Sequence, residues 1–166
     1  MRVSRAIAAG VIGALVVLSL VWIVGWVQGV DTDLCALTAA VVFGSTGGAA
    51  WLGGFVIQLV VGAVAALVYG ALFEWVTARA GGWVGFAIGV AHAILAGLAV
   101  GFLPGDRILD AGLTPPGAFY EYRGAWCLVA FVCAHLFFGI FVGRVYGDTE
   151  HQPSRETRRW AEVPRP

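Results

Sequence analysis

Four long apolar stretches limit what this chain can fold into more than any other feature of its sequence. Each has the roughly 20 apolar residues that a helix needs to cross a bilayer, and they cover about residues 6–28, 50–76, 82–103 and 125–147. Hydrophobic residues make up 60% of the chain and charged residues 12%, whereas a soluble domain carries about 25% charged residues. We therefore predict an all-α fold, a four-helix transmembrane bundle that forms a single domain over residues 1–147.

A fifth apolar stretch, residues 34–43, is too short to cross a membrane. Asp31 and Asp33 precede it, and the glycine-rich run 44–48 follows it. We expect a short helix between the first and second spans that is either re-entrant or interfacial. An ordered loop is the alternative interpretation.

The two ends of the chain lie outside the apolar spans. Arg2 and Arg5 precede the first span as they would in a signal peptide. That span exceeds the usual h-region of about 7–15 residues, so we interpret it as an uncleaved helix. Residues 148–166 hold four acidic residues and four arginines with little apolar content, which predicts a disordered cytoplasmic tail. Contact of Arg158–Trp160 with anionic headgroups is the alternative.

The distribution of basic residues predicts the orientation of the chain, because all ten are arginines placed unevenly between the two sides. With the N-terminus inside, eight arginines are cytoplasmic, and only Arg107 and Arg123 are outside. This excess follows the positive-inside rule. Aromatic residues such as Trp26 and Trp75 fall at the span ends, as in interfacial belts. We expect both termini in the cytoplasm.

Small residues recur at every fourth position of the spans, most completely in the third, which has Gly85, Gly89, Ala93 and Gly97. Residues four apart share one face of a helix. Such faces let backbones approach closely in lipid, where apolar tails remove the hydrophobic drive between helices. We expect these glycine-zipper faces to pack the bundle.

A segment of the fourth span repeats a segment of the second. Residues 135–147 align with residues 58–70, with identical Leu, Gly, Val, Tyr and Gly, and His135 takes the place of Gln58. Both segments run from outside to inside. They predict two parallel copies of a helical hairpin, related by an axis along the membrane normal.

Four polar side chains within the spans form a candidate intramembrane site, since ionisable residues at membrane depth are functional candidates by default: Gln58, Glu74, His92 and His135. The two histidines lie near the midpoints of neighbouring antiparallel spans. Facing imidazoles could ligate a haem iron or a transition metal, or relay protons. The alternative, which the sequence favours, is that both stay neutral, bond to neighbouring helices and hold no cofactor.

The other two polar groups have simpler interpretations. We expect the Gln58 amide to hydrogen-bond across helices. We expect Glu74 to pair with Arg79 or Arg144 at the headgroup level; an isolated Glu74, acting as a proton or cation site, is the alternative.

The cysteines and the remaining motifs give no catalytic residue. Cys35 and Cys127 both fall near the outer face, where they could form a disulfide, and Cys133 is expected to pack within its span. The sequence holds no Ser-His-Asp set, no metal motif of closed spacing and no nucleotide loop. An enzyme is not favoured.

The order of these pieces carries a resemblance to a family. A short helix ends in Phe-Gly (residues 33–44), and a Trp-led helix ends in Tyr-Gly (51–70). The third span reads Gly85-Phe-Ala-Ile-Gly-Val-Ala-His92, and the fourth repeats small residues between His135 and Tyr-Gly. Over residues 6–147 this resembles a family of small, uncharacterised bacterial four-helix membrane proteins. The resemblance implies the architecture and a bacterial cytoplasmic membrane, without an activity.

The resemblance also bears on the candidate site. Members of the family often carry His at the position of Gln58, so a three-imidazole site is in doubt for this chain.

Three functional hypotheses follow. The first is a structural or accessory membrane protein that acts through helix packing, with the lipid bilayer and a second copy or another membrane protein as partners. The second is a haem- or metal-binding redox protein that uses His92 and His135. The third is a small oligomeric transporter or proton-coupled channel. The formal net charge of zero excludes a nucleic-acid footprint.

Overall fold

The computed structural model describes residues 1–149, and these form helices without a strand. Four of the helices are long and apolar enough to cross a membrane, which confirms the predicted all-helical chain with four candidate spans. The predicted tail, 148–166, lies outside the described residues beyond Thr149. The helices are α1 (Val3–Gln28), α2 (Leu34–Phe43), α3 (Gly48–Trp75), α4 (Gly82–Val100), α5 (Gly105–Asp110), a 3₁₀ helix (Ala118–Arg123) and α6 (Ala125–Tyr146).

Residues 34–43 form a helix and not an ordered loop, because both of its ends are capped. The Asp33 carboxylate accepts hydrogen bonds from the backbone N–H groups of Cys35 (2.9 Å) and Ala36 (3.0 Å), which satisfies two donors that the helix leaves unpaired. Gly44 ends the helix with a φ of +67°, a conformation that glycine adopts without steric cost.

The four long helices meet through their small residues. α1 packs on α3 and on α6, and α6 packs on α4. A Cβ added to Gly10 would overlap the carbonyl oxygen of Gly62, and one added to Gly85 would overlap that of Gly139. At these two crossings the backbones are in direct contact, which only glycine permits.

The contact between α3 and α4, here called the α3–α4 seam, is sparse. If α1 with α3 and α4 with α6 were two copies of one hairpin, a two-fold axis would map the α1–α6 interface onto the α3–α4 interface, and the two would be equally extensive. Of these two interfaces, only α1–α6 is extensive. The long helices therefore form an arc in the order α3, α1, α6, α4, which stays open along the seam.

The two ends of the arc differ in structure. At the terminal end, where α1 begins and α6 ends, the backbone N–H of Arg2 hydrogen-bonds the Tyr146 hydroxyl (3.0 Å). The opposite end, where α1 ends and α6 begins, is here called the loop end, and it is covered by α2, α5 and the 3₁₀ helix. Arg107 fixes α5 to α2 by donating to the Val41 carbonyl (2.7 Å). Arg123 donates to the carbonyls of Asp31 and Thr114, which ties three segments together.

Candidate functional site

A cavity of about 250 Å³ lies inside the arc, and all four long helices contribute to its walls. Most of the lining side chains are apolar, and none is an Asp, Glu, Lys or Arg. The lining extends from Tyr120 at the loop end to Phe138 near the middle of α6. Three of the four polar candidates predicted from the sequence line this one cavity: Gln58, His92 and His135.

His92 of α4 contacts α3. Its Nδ1 is 3.2 Å from the Tyr69 hydroxyl oxygen, so a hydrogen bond crosses the α3–α4 seam at this point. The His92 ring also contacts the His135 ring edge to face, with centroids 4.8 Å apart. The structure therefore places the two histidines at the same depth and in contact.

His135 has a defined tautomer in its neutral form. Its Nδ1 lies 2.8 Å from the Phe131 carbonyl oxygen one turn earlier in α6. Because a carbonyl oxygen can only accept, Nδ1 must carry the hydrogen, and Nε2 presents a lone pair. None of residues 1–149 hydrogen-bonds to this Nε2.

Gln58 hydrogen-bonds across to α2 and not to another long helix. Its Nε2 donates to the Thr38 hydroxyl oxygen (2.6 Å), and that hydroxyl donates to the Leu34 carbonyl (2.8 Å). The chain of two bonds joins the cavity wall to the short helix at the loop end.

Glu74 lies apart from the cavity, at the terminal end, and only 4% of its surface is exposed. Its Oε1 accepts a hydrogen bond of 2.7 Å from the Tyr146 hydroxyl. The Arg144 side chain lies along Gly82, and the pairing of Glu74 with Arg79 or Arg144 stays a prediction. Tyr146 is fully buried, so the bond is shielded from solvent.

The three cysteines are free thiols, so the disulfide between Cys35 and Cys127 is not formed in this structure. Both of those residues are buried, whereas Cys133 is exposed on the outer surface of α6. Cys133, which was expected to pack within its span, is thus an exposed residue of α6 in the part of the chain that the structure describes. Burial, followed by the charge of Asp33, raises the pKa of the Cys35 thiol to about 11.

The 3₁₀ helix holds two aromatic residues in a left-handed conformation, of which Tyr120 lines the loop end of the cavity. Phe119 and Tyr120 have φ values of +51° and +64°, which cost side-chain-bearing residues of order 1–3 kcal/mol each. Phe119 lies on Gly97, where a Cβ would overlap its ring. Tyr120 stacks on Phe131, and burial raises the pKa of its phenol.

The histidine pair does not fit a haem with two axial ligands in this geometry. The macrocycle would have to lie between the two rings, but the edge of one ring already contacts the face of the other. A site with three or more His, Cys, Asp or Glu ligands is also absent from residues 1–149. The two Nε2 atoms remain as groups that could bind a ligand.

Two residues of the site were missed by sequence reasoning, Tyr69 and Thr38. Tyr69 occurs in the repeated Val-Tyr-Gly motif, which was the only signal that could have singled it out. Thr38 lies in an apolar run with no neighbouring polar residue in the helical register, so nothing pointed to it.

The helices and the cavity define a protein with four candidate membrane spans around one largely apolar, uncharged chamber. Comparison with protein-family models, with curated proteins and with solved structures found no match to this chain.

Proposed function

We propose that this chain is a small multi-pass membrane protein of the structural or accessory class, which acts through helix packing and not through a catalytic centre. The observation that carries the proposal is the direct backbone contact at the glycine crossings, such as that of Gly85 with Gly139. The polar side chains serve the same end. Tyr69 joins α3 to α4, and Gln58 joins α3 to α2. A second copy or another membrane protein is the proposed partner, through the exposed apolar faces.

The proposed location is a bacterial cytoplasmic membrane, in line with the resemblance to small bacterial four-helix proteins, with both termini in the cytoplasm. Charge supports this orientation. Four arginines, Arg2, Arg5, Arg79 and Arg144, lie at the terminal end of the arc, whereas two, Arg107 and Arg123, lie at the loop end, and the side richer in arginine is the cytoplasmic one.

For α2 we propose an interfacial position and not a re-entrant one. Both of its ends contact α3 at nearly the same level. The Trp51 indole N–H donates to Asp33 (2.7 Å), and the Phe43 ring lies against Gly53. A re-entrant helix would place one end much deeper than the other. The Asp33 carboxylate and the Trp51 indole are also a pair typical of the membrane interface.

The experiment that tests the proposed class is an absorbance spectrum of the protein in mild detergent, as isolated and after dithionite, with metal analysis of the same sample. A colourless, metal-free protein, whose His92→Ala and His135→Ala variants differ from it only in stability, is the expected result. A Soret band or a stoichiometric metal that either variant loses would overturn the structural class in favour of a redox protein.

Orientation is tested by fusing a reporter active only outside the membrane after Pro166, with the same reporter inserted after Gly112 in the loop between α5 and the 3₁₀ helix as a matched control. We expect activity from the loop insertion alone. Activity from the C-terminal fusion would contradict a cytoplasmic terminus.

A small oligomeric transporter is the second candidate, because the cavity has walls from all four long helices and an open seam. It predicts substrate-dependent flux in liposomes. Flux equal to that of protein-free liposomes for every solute tested would remove this candidate.

A further inference from the structure

The cavity is large enough to hold a molecule and not only water. Its volume is about 250 Å³, and a dry cavity of about 150 Å³ lined by aliphatic and aromatic side chains is known to bind benzene. A molecule about the size of naphthalene therefore fits. Because no Asp, Glu, Lys or Arg lines the walls, a charged molecule would lose its hydration without a permanent counter-charge. The chamber is suited to a neutral, apolar molecule.

The polar end of the cavity specifies the head group of that molecule. The bond of His135 Nδ1 to the Phe131 carbonyl leaves Nε2 as an acceptor. When the Tyr69 hydroxyl donates to His92 Nδ1, the hydrogen of His92 lies on Nε2, which becomes a donor. Among the residues that the structure describes, neither Nε2 has a hydrogen-bond partner.

A hydroxyl group is the smallest group that satisfies both histidines at once. Its hydrogen can be donated to His135 Nε2 while its oxygen accepts from His92 Nε2. The two rings are in contact, with centroids 4.8 Å apart, and both side chains line the cavity. A ligand that makes both hydrogen bonds is therefore favoured over one that makes neither.

We propose that this cavity binds a neutral, lipid-soluble molecule with an apolar body of about two fused rings and one hydroxyl group, of the phenol or quinol class. His135 accepts the hydrogen of that hydroxyl and His92 donates to its oxygen. Entry is from the bilayer through the α3–α4 seam, where Ala65 on α3 and Ala96 on α4 leave little side-chain bulk at the cavity wall. This binding site is independent of the accessory role proposed above.

The test uses the full chain in lipid nanodiscs and two probes of the same shape, 1-naphthol and 1-methoxynaphthalene. Only the first can donate a hydrogen bond. Binding is measured by equilibrium dialysis, with empty nanodiscs to subtract partition into lipid. We expect saturable binding of one 1-naphthol per protein and at least tenfold weaker binding of 1-methoxynaphthalene. Binding of 1-naphthol no greater than to empty nanodiscs would overturn the proposal and leave the cavity to water or an acyl chain.

Two variants locate the site and the hydrogen bond. Ala96→Phe fills the cavity, and we expect it to abolish binding of both probes; Ala99→Phe, on the exposed face of the same helix, is the matched control. His135→Phe keeps an aromatic ring but removes the acceptor, and we expect the two probes to bind it equally. Saturable binding that survives Ala96→Phe, or a preference for 1-naphthol that survives His135→Phe, would refute the proposed site.

A variant that fails to fold cannot decide the matter, so each is first compared with the unchanged protein by helical circular dichroism and gel filtration. If His135→Phe does not fold, His92→Phe replaces it. It removes the proposed donor and is expected to weaken 1-naphthol at least fivefold, whereas unchanged affinity would contradict the two-histidine arrangement.

Discussion

The Tyr69 hydroxyl lies 3.2 Å from His92 Nδ1 and so connects α3 to α4 across the one open seam of the arc. The α1–α3 and α4–α6 interfaces have glycine-mediated backbone contact, but α3 and α4 touch sparsely. A single side-chain pair therefore carries much of this connection. When the Tyr69 hydroxyl donates in this bond, the hydrogen of His92 lies on Nε2 at the polar end of the cavity.

We predict that Tyr69→Phe lowers the free energy of unfolding by about 0.6–1.7 kcal/mol, the range that hydrogen bonds between membrane helices contribute. The measurement is equilibrium unfolding in mixed micelles. Tyr122→Phe is the control, because Tyr122 is 71% exposed and should change stability little. The double variant with His92→Phe and Tyr69→Phe should lose less unfolding free energy than the sum of the losses in the two single variants. Strict additivity would show that the two side chains are not coupled.

We predict that Gly139→Ala destabilises the protein by about 1–3 kcal/mol, the usual cost of forcing a methyl group into a packed interface. The added Cβ would overlap the Gly85 carbonyl, and α4 would have to move away from α6. Gly48→Ala is the matched control, because a Cβ there meets nothing within 4 Å. Equal unfolding free energies for the two variants would refute close packing at this crossing.

The helices could be predicted from the sequence because their signals are local. Runs of about 20 apolar residues have one solution in lipid, a helix, and Asp33 and Gly44 mark the ends of α2 within the sequence itself. The small residues at every fourth position also predicted the face of α4, with Gly85 and Gly89, that packs on α6. Each of these features depends on neighbours within one or two turns.

The partners of the polar residues could not be predicted, because they depend on how the helices are rotated and tilted. Glu74 accepts a hydrogen bond from Tyr146, which is 72 positions away in the chain, and no local spacing pointed to that pair. The repeat suggested an even arrangement of two hairpins, but the α3–α4 seam is open. The cavity results from the sparse contact between α3 and α4, which the spacing of residues along the sequence does not predict.

We predict that the thiol of Cys35 reacts with a maleimide at a rate that rises with pH up to about pH 11, in a variant with Cys127→Ala and Cys133→Ala. The pKa of this thiol is raised from 9.0 to about 11, so the reactive thiolate fraction near neutral pH is about a hundredfold lower. The same variant unfolded in detergent should level off near pH 9. A plateau near pH 9 in the folded protein would contradict the buried position of Cys35 on α2.

Gln58→Leu should raise the rate at which the folded protein is labelled at Cys35. It removes the 2.6 Å bond to Thr38, one of the links that hold α2 on α3, so α2 opens more often. Val56→Ala, at an exposed position of the same helix, is the control for a general effect on α3. Equal rates in the two variants would mean that the Gln58–Thr38 bond does not hold α2.

The Arg123 guanidinium joins three segments of the loop end by donating to the carbonyls of Asp31 and Thr114. Lysine keeps the charge but cannot donate to two separate carbonyls from a planar fork. Arg123→Lys should cost about 1 kcal/mol of local stability, which is about a fivefold rise in amide hydrogen exchange for residues 28–33 and 113–124. Arg79→Lys, at an exposed position, should leave exchange unchanged. A rise confined to the 3₁₀ helix would show that Arg123 orders only its own segment.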